Sequence, residues 1–134
     1  MQLMQSEPLD LGMEALSLNY WLGGNSHKAR IIRSGQAKKQ RRRATMLVLY
    51  WIRSGWVPAE PPIVVTLARV MGPKQRAFDA DNLAGGLRYI RNGIADAYRI
   101  DDVESELVQW DYRQERGDKA TTLVEIDRTA LSGS

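Results

Sequence analysis

The chain of 134 residues contains no cysteine. Disulfides, thiolate catalysis and Cys-ligated zinc are therefore excluded. No apolar run approaches the ~18 residues that a membrane span needs. The opening stretch, MQLMQSEPLDLG, lacks the basic and apolar regions of a signal peptide. A cytosolic protein with no membrane partner is expected. There is a single histidine, His27, in the Gly- and Asn-rich stretch LGGNSHKAR. It reads as a loop residue rather than as a catalyst. No internal repeat, low-complexity tract or motif for reading base edges is visible.

The composition is that of one compact domain with a real core. The apolar fraction is 43%, the formal net charge +3 and the pI near 9.4. That balance permits a nucleic-acid partner without requiring one.

Local patterning predicts the elements. Residues 1–12 read as a loose lead-in, and 129–134 as a loose end. In 14–20, Leu16, Leu18 and Tyr20 alternate with polar neighbours, the pattern of a strand. Ile31 and Ile32 suggest a short second strand. A helix is expected from about Ser34 to Gly55, basic first and apolar later, with Met46, Leu47, Tyr50 and Trp51 on its apolar face. IVVTLARVM, residues 63–71, is a β-branched strand. Leu83, Leu87, Ile90, Ile94 and Ala97 form one helical stripe capped by Asp81. Val108, Trp110 and Tyr112 alternate, as does TTLVEID, which predicts a β-hairpin. Trp51 and Trp110 are expected in the core, with Trp21 and Trp56 partly exposed. The sum is an α+β fold in one domain over 1–134. A small mixed sheet of about four to five strands packs against two main helices.

Acid stands at both ends of the second helix. Asp79 and Asp81 precede it, and Asp101 and Asp102 follow it. In an extended segment, residues two apart share a face, so Asp79 and Asp81 can converge on one point. A straight helix of roughly 18 residues is ~27 Å long. Asp101 and Asp102 thus reach the first pair only if the helix is shorter or bent, or across a subunit contact. Hard oxygen ligands without Cys suit Mg²⁺, with Mn²⁺ possible, rather than zinc. The same residues also read as a helix cap and a turn. Gly85 and Gly86, unusual inside a helix, suggest close approach of a DNA backbone or of another chain, or simple packing.

Base is concentrated elsewhere. Lys28, Arg30, Arg33, Lys38, Lys39, Arg41, Arg42 and Arg43 fall within sixteen residues, and Lys74 and Arg76 precede the acids. Such a run is either a solvated helix face or a track for phosphates.

The string DADNLAGGLR, followed by IDD, resembles the signature of the RusA family of Holliday-junction endonucleases. The order of the other elements over roughly 14–127 is similar to that family's. The resemblance implies a RusA-like fold. It implies a Mg²⁺-dependent endonuclease that resolves four-way or branched DNA by paired symmetric nicks. It also implies a homodimer in the cytoplasm of a bacterial or phage-infected cell. By the resemblance Asp79, Asp81 and Asp102 are catalytic metal ligands, with Asp101 beside them. The family's lysine, four residues after the second aspartate, corresponds here to Gly85. Arg88, three residues further on, is the expected substitute in contacting phosphate. DNA contact is expected from Lys28, Arg30, Lys38, Lys39, Arg41, Arg42, Arg43, Lys74 and Arg76. The absent lysine leaves an alternative, a non-catalytic branched-DNA-binding protein on the same fold.

Overall fold

A computed structural model describes residues 7–23 and 26–129. In chain order they form β1 (Leu9–Asp10), α1 (Leu18–Leu22), α2 (His27–Arg53), β2 (Ile63–Met71), α3 (Ala80–Gly86), α4 (Arg88–Tyr98), β3 (Val108–Arg116) and β4 (Thr121–Arg128). The sheet order is β1-β4-β2-β3. β3 runs parallel to β2, and β4 runs antiparallel on the other side of β2. The fold is α+β with a four-stranded mixed sheet, as expected.

β2 is central because its sequence tolerates burial along its length. Ile63, Val65 and Leu67 are fully buried on the helix-facing side. Parallel β3 is reached through α3 and α4, a β-α-β crossover. The predicted hairpin is therefore corrected. Strands 108–116 and 121–128 exist, but β2 lies between them. Their four-residue link passes over the end of β2, where Gly117 N–H donates to the Met71 carbonyl at 2.9 Å. A Cβ on Gly117 would stand 2.5 Å from Val70 Cγ1. Period-two patterning identifies a strand but not its neighbour.

Other expectations fail for similar reasons. Residues 14–17 are not a strand, and 18–22 are α1, begun when the Ser17 hydroxyl accepts from Tyr20 N–H. Ile31 and Ile32 belong to α2, which starts at His27 under a Ser26 cap, not near Ser34. The buried face of α2 is Gln40, Ala44, Val48 and Trp51, whereas Met46 and Tyr50 are exposed. Of the lead-in, Leu9–Asp10 pair with β4 and Leu11 is fully buried. Residues 1–6 and 130–134 lie outside the described residues. Trp51 is buried, Trp110 and Trp21 are half-buried, and Trp56 is exposed.

The acid-flanked helix breaks at Leu87 into α3 and α4. Its stripe survives the break: Leu83, Leu87, Ile90, Ile94 and Ala97 are all buried. The glycine pair is explained by the chain itself. A Cβ on Gly86 would lie 2.0 Å from the Leu16 carbonyl oxygen, and one on Gly85 would lie 2.7 Å from Leu18 Cδ1. Neither DNA nor a second chain is needed to account for them.

α2 and α4 cross at Gly93. Thr45 Oγ1 donates to the Gly93 carbonyl at 2.8 Å, and a Cβ there would sit 2.3 Å from the Arg41 oxygen. Overpacking of this kind costs roughly 1–3 kcal/mol. Gly93→Ala is expected to destabilise the protein by that amount in urea denaturation. Gly35, also in α2, has open space around its Cα. Gly35→Ala should instead gain ~0.5–1 kcal/mol from helix propensity. An unchanged midpoint for Gly93→Ala would show that the helices separate without loss.

Candidate functional site

The acid motif is built on β3. Trp110, Tyr112 and Gln114 alternate along one face of that strand, the face turned to the helices. Each holds a different part of the site. Gln114 Oε1 accepts from Phe78 N–H and its Nε2 donates to the Phe78 carbonyl, both at 2.8 Å. Tyr112 hydroxyl meets Arg91 Nη1 at 2.9 Å. Trp110 Nε1 donates to the Asp102 carbonyl at 2.8 Å. The residue before Asp79 and the backbone of Asp102 are thus docked four strand residues apart, roughly 13 Å at ~3.3 Å per residue.

The link from β2 into the acids is held by its carbonyls. Arg116 donates to the carbonyls of Gly72, Pro73 and Gln75. Arg69, which faces Gln114 across the β2–β3 register, donates to the Arg76 carbonyl and to Gln114 Oε1. Its guanidinium lies 3.4 Å from the centre of the Phe78 ring. Arg69 is only 3% exposed, and burial lowers its pKa below the ordinary arginine value, opposed in part by Glu14. Lys74 and Arg76 project from this fixed link and are exposed.

Asp79, not Asp81, is the N-cap of α3. Its Oδ1 accepts from Asn82 N–H at 2.8 Å and its Oδ2 from Asn82 Nδ2 at 3.1 Å. Asp81 sits in the first turn, and both carboxylates are exposed. At the other end, Arg99 adopts a left-handed conformation (φ 57°), and Ile100 N–H reaches back to the Ala95 carbonyl. That reversal returns the chain toward the flank of α4. There Asp102 Oδ2 pairs with Arg91, at 2.7 Å from Nη2 and 2.8 Å from Nε. Burial lowers the Arg91 pKa, but its bonds to Tyr112 and Asp102 outweigh that and raise it above the ordinary value. Asp101 is exposed and turns its Oδ1 to Val103 N–H.

Asp79 and Asp81 therefore stand side by side in the chain, while Asp102 is engaged by Arg91. Among the described residues, no three His, Cys, Asp or Glu side chains gather into one ligand set. The exposed pair still offers hard oxygen donors of the kind Mg²⁺ takes, since that ion is commonly held by one or two carboxylates plus substrate phosphate. Arg88 is exposed on α4, with its guanidinium 5.7 Å from the Tyr89 ring. Of the two arginines, Arg91 is the one that pairs with an acid of the motif, Asp102. Sequence reasoning passed over Arg91, Arg69, Tyr112 and Gln114. A signal existed in two of them: a cation inside a β-branched strand, and an amide on an inward position of β3.

The basic run divides by helical position. Arg41 makes a bidentate pair with Asp96, at 2.6 and 2.9 Å. The hydrogen bond to Asp96 raises its pKa. Arg43 Nε donates to the Leu11 carbonyl at 3.0 Å. These two, expected to contact DNA, are internal ties in this structure. Lys28, Arg30, Lys38, Lys39 and Arg42 are exposed.

No helix among the described residues is long and apolar enough to cross a membrane. No family model, curated protein or solved structure matches the chain.

The Arg91–Asp102 pair is largely shielded, with side chains 27% and 20% exposed. Removing one member of such a pair strands the other, and after allowance for partial solvation Arg91→Met should cost about 1–3 kcal/mol. Asp102→Asn should then cost far less in the Arg91→Met background than in the wild type. Strictly additive losses in a double-mutant cycle would show that the two side chains are uncoupled.

Proposed function

We propose that the protein is a RusA-like, metal-dependent endonuclease acting on four-way or branched DNA. One observation carries the reading. Phe78, which leads into D-x-D-N, and the Asp102 carbonyl of the D-D segment dock on the same face of β3, and the loop that leads to Phe78 carries two exposed cations, Lys74 and Arg76.

The chain's own residues have these roles. Lys74 and Arg76 draw in the phosphate backbone, and Lys28, Arg30, Lys38, Lys39 and Arg42 extend that grip along α2. Asp79 and Asp81 would hold Mg²⁺ or Mn²⁺, with Asp102 and its neighbour Asp101 at the far side of the site. When bound, that ion lowers the pKa of water and neutralises charge on a phosphodiester. Asn82 keeps Asp79 oriented by donating its backbone N–H and its Nδ2 to the two carboxylate oxygens. Arg91 fixes Asp102, and Arg88 reaches the backbone from the exposed side of α4. Position 85, the place of the family lysine, is packed beneath Leu18. Proton transfer by a side chain at that position is therefore not part of this proposal.

Paired nicks on opposing strands need two sites related by a twofold axis, and a homodimer supplies them. Exposed Met46, Leu49, Tyr50 and Trp56 offer apolar surface for such a contact. A cytoplasmic location in a bacterial or phage-infected cell completes the proposal.

The deciding experiment is nicking of a synthetic four-way junction with and without Mg²⁺, alongside gel-shift binding. Asp81→Asn should retain binding and lose nicking by at least roughly 100-fold, because outer-sphere partners alone are worth ~10–100-fold at metal sites. Wild-type binding without nicking at any Mg²⁺ or Mn²⁺ concentration would favour the non-catalytic branched-DNA-binding reading, for which the packed Gly85 speaks. Replacing Lys38, Lys39 and Arg42 by Gln should flatten the salt dependence by about 0.9 per phosphate contact on duplex DNA. Arg41→Gln should act on stability instead.

A further inference from the structure

A groove separate from the acid site runs between α1, the first half of α2 and the start of α4. Its volume is about 380 Å³, and no acid lines it. Arg30, Arg33, Ser34, Ala37, Lys38 and Arg41 form its basic wall at spacings of three, one, three, one and three, a single helical face. The opposite wall is aromatic. Trp21 and Tyr89 meet edge to face with ring centres 4.8 Å apart, and Tyr20 adds a second edge contact to Trp21 at 5.2 Å.

This wall is fixed. Trp21 Nε1 points to the Gly86 carbonyl at 3.4 Å. The Tyr20 hydroxyl bonds Gln36 Oε1, which ties α1 to α2. The glycine pair of α3 lets the segment entering α1 sit close enough for these contacts. On the basic wall Arg41 is neutralised by Asp96. Arg30 and Lys38 are exposed and belong to none of the ion pairs of the described residues.

We propose that this groove binds an unpaired stretch of single-stranded DNA. A base would stack on the Trp21–Tyr89 wall, with its phosphates on Arg30 and Lys38. Aromatic faces serve any base, and flanking cations serve the backbone, which is the usual chemistry of strand-tolerant binding. The volume suits a ligand of small-molecule size, within the ~300–1,000 Å³ range of such pockets. The inference rests on the reading that the chain binds DNA and adds which form of DNA this face selects.

The test is fluorescence anisotropy with the full chain, using labelled oligothymidine, a blunt duplex of equal length and a four-way junction at the same salt. The wild type should bind oligothymidine about tenfold or more tightly than the blunt duplex, since stacking acts only on the unpaired bases. Trp21→Leu should weaken oligothymidine binding by about 5–100-fold, with little change on the duplex. Trp21→Phe should restore most of the loss. Circular dichroism melts report whether the variants fold. If Trp21→Leu does not fold, Arg30→Gln with Lys38→Gln decides. That variant should reduce the salt slope on oligothymidine by about 1.4, at about 0.7 per phosphate contact. Equal losses on single strand and duplex for Trp21→Leu, or an unchanged oligothymidine slope for the Arg30 and Lys38 variant, would overturn the assignment. A protein that binds junctions but prefers no single strand overturns this inference and leaves the junction reading standing. One that binds no DNA overturns both.

Discussion

The side-chain amide of Gln114 is the joint on which the acid site depends. It closes both backbone hydrogen bonds of Phe78, one as donor and one as acceptor. Phe78 is thereby paired to β3 as though it were part of the sheet, although it belongs to no strand. Arg69 donates to the same Gln114 oxygen and covers the Phe78 ring. A buried guanidinium is expensive to desolvate, and here an amide, a carbonyl and a ring face offset that expense. The next residue in the chain is Asp79. Its position follows from that of Phe78, and the start of α3 follows from its cap. The arrangement also fixes strand register. A slip of β3 by one residue would turn Trp110, Tyr112 and Gln114 to the outer face and release Asp102, Arg91 and Phe78 together.

What the sequence made legible was local. The strand over 63–71 and the buried stripe from Leu83 to Ala97 are repeating patterns within one segment, and they hold in the folded chain. So does the mixed α+β class. What it did not disclose was set by partners distant in sequence. Tyr20 alternates as a strand residue would, but the Ser17 cap and the notch at Gly85–Gly86 make it helical. The apolar side of α2 was half placed: Leu47 and Trp51 pack on the core and Met46 and Tyr50 are exposed, because the inward row passes through Gln40 and Ala44, neither of which is strongly apolar. The predicted hairpin had the right strands and the wrong neighbour, since only tertiary packing places β2 between them.

The site was legible by residue type and less so by geometry. Asp79, Asp81 and Asp102 are where acid was expected, at two ends of one helical unit. The helix breaks at Leu87, and the left-handed turn at Arg99 returns the chain so that Asp102 meets Arg91 on α4. Neither announces itself in a string with no proline nearby. Charge counting alone did not show which cations of α2 also make contacts within the chain. A 27-residue helix lying on a core must turn some face inward, even where its sequence is basic. Arg41 and Arg43 bond Asp96 and the Leu11 carbonyl while remaining exposed, and Lys38, Lys39 and Arg42 are exposed and in none of the ion pairs of the described residues.

The same bookkeeping explains how an acidic motif can face a polyanion. A carboxylate and a phosphate at ~4 Å repel by about 1 kcal/mol in water and by about 4 kcal/mol at an effective dielectric of 20. Lys74 and Arg76 precede Asp79 and Asp81 in the chain, two positive charges and two negative, and Arg91 pairs with Asp102. Arg69 and Arg116 already hold the backbone that carries Lys74 and Arg76. Little ordering of that backbone is left to be done when a phosphate arrives. In the proposed reading, DNA therefore meets a balanced rim rather than an acidic one. In that reading the balance would turn positive with a divalent cation on Asp79 and Asp81. Binding of the ion and of the backbone then favour one another, because each relieves the repulsion that the other would meet alone.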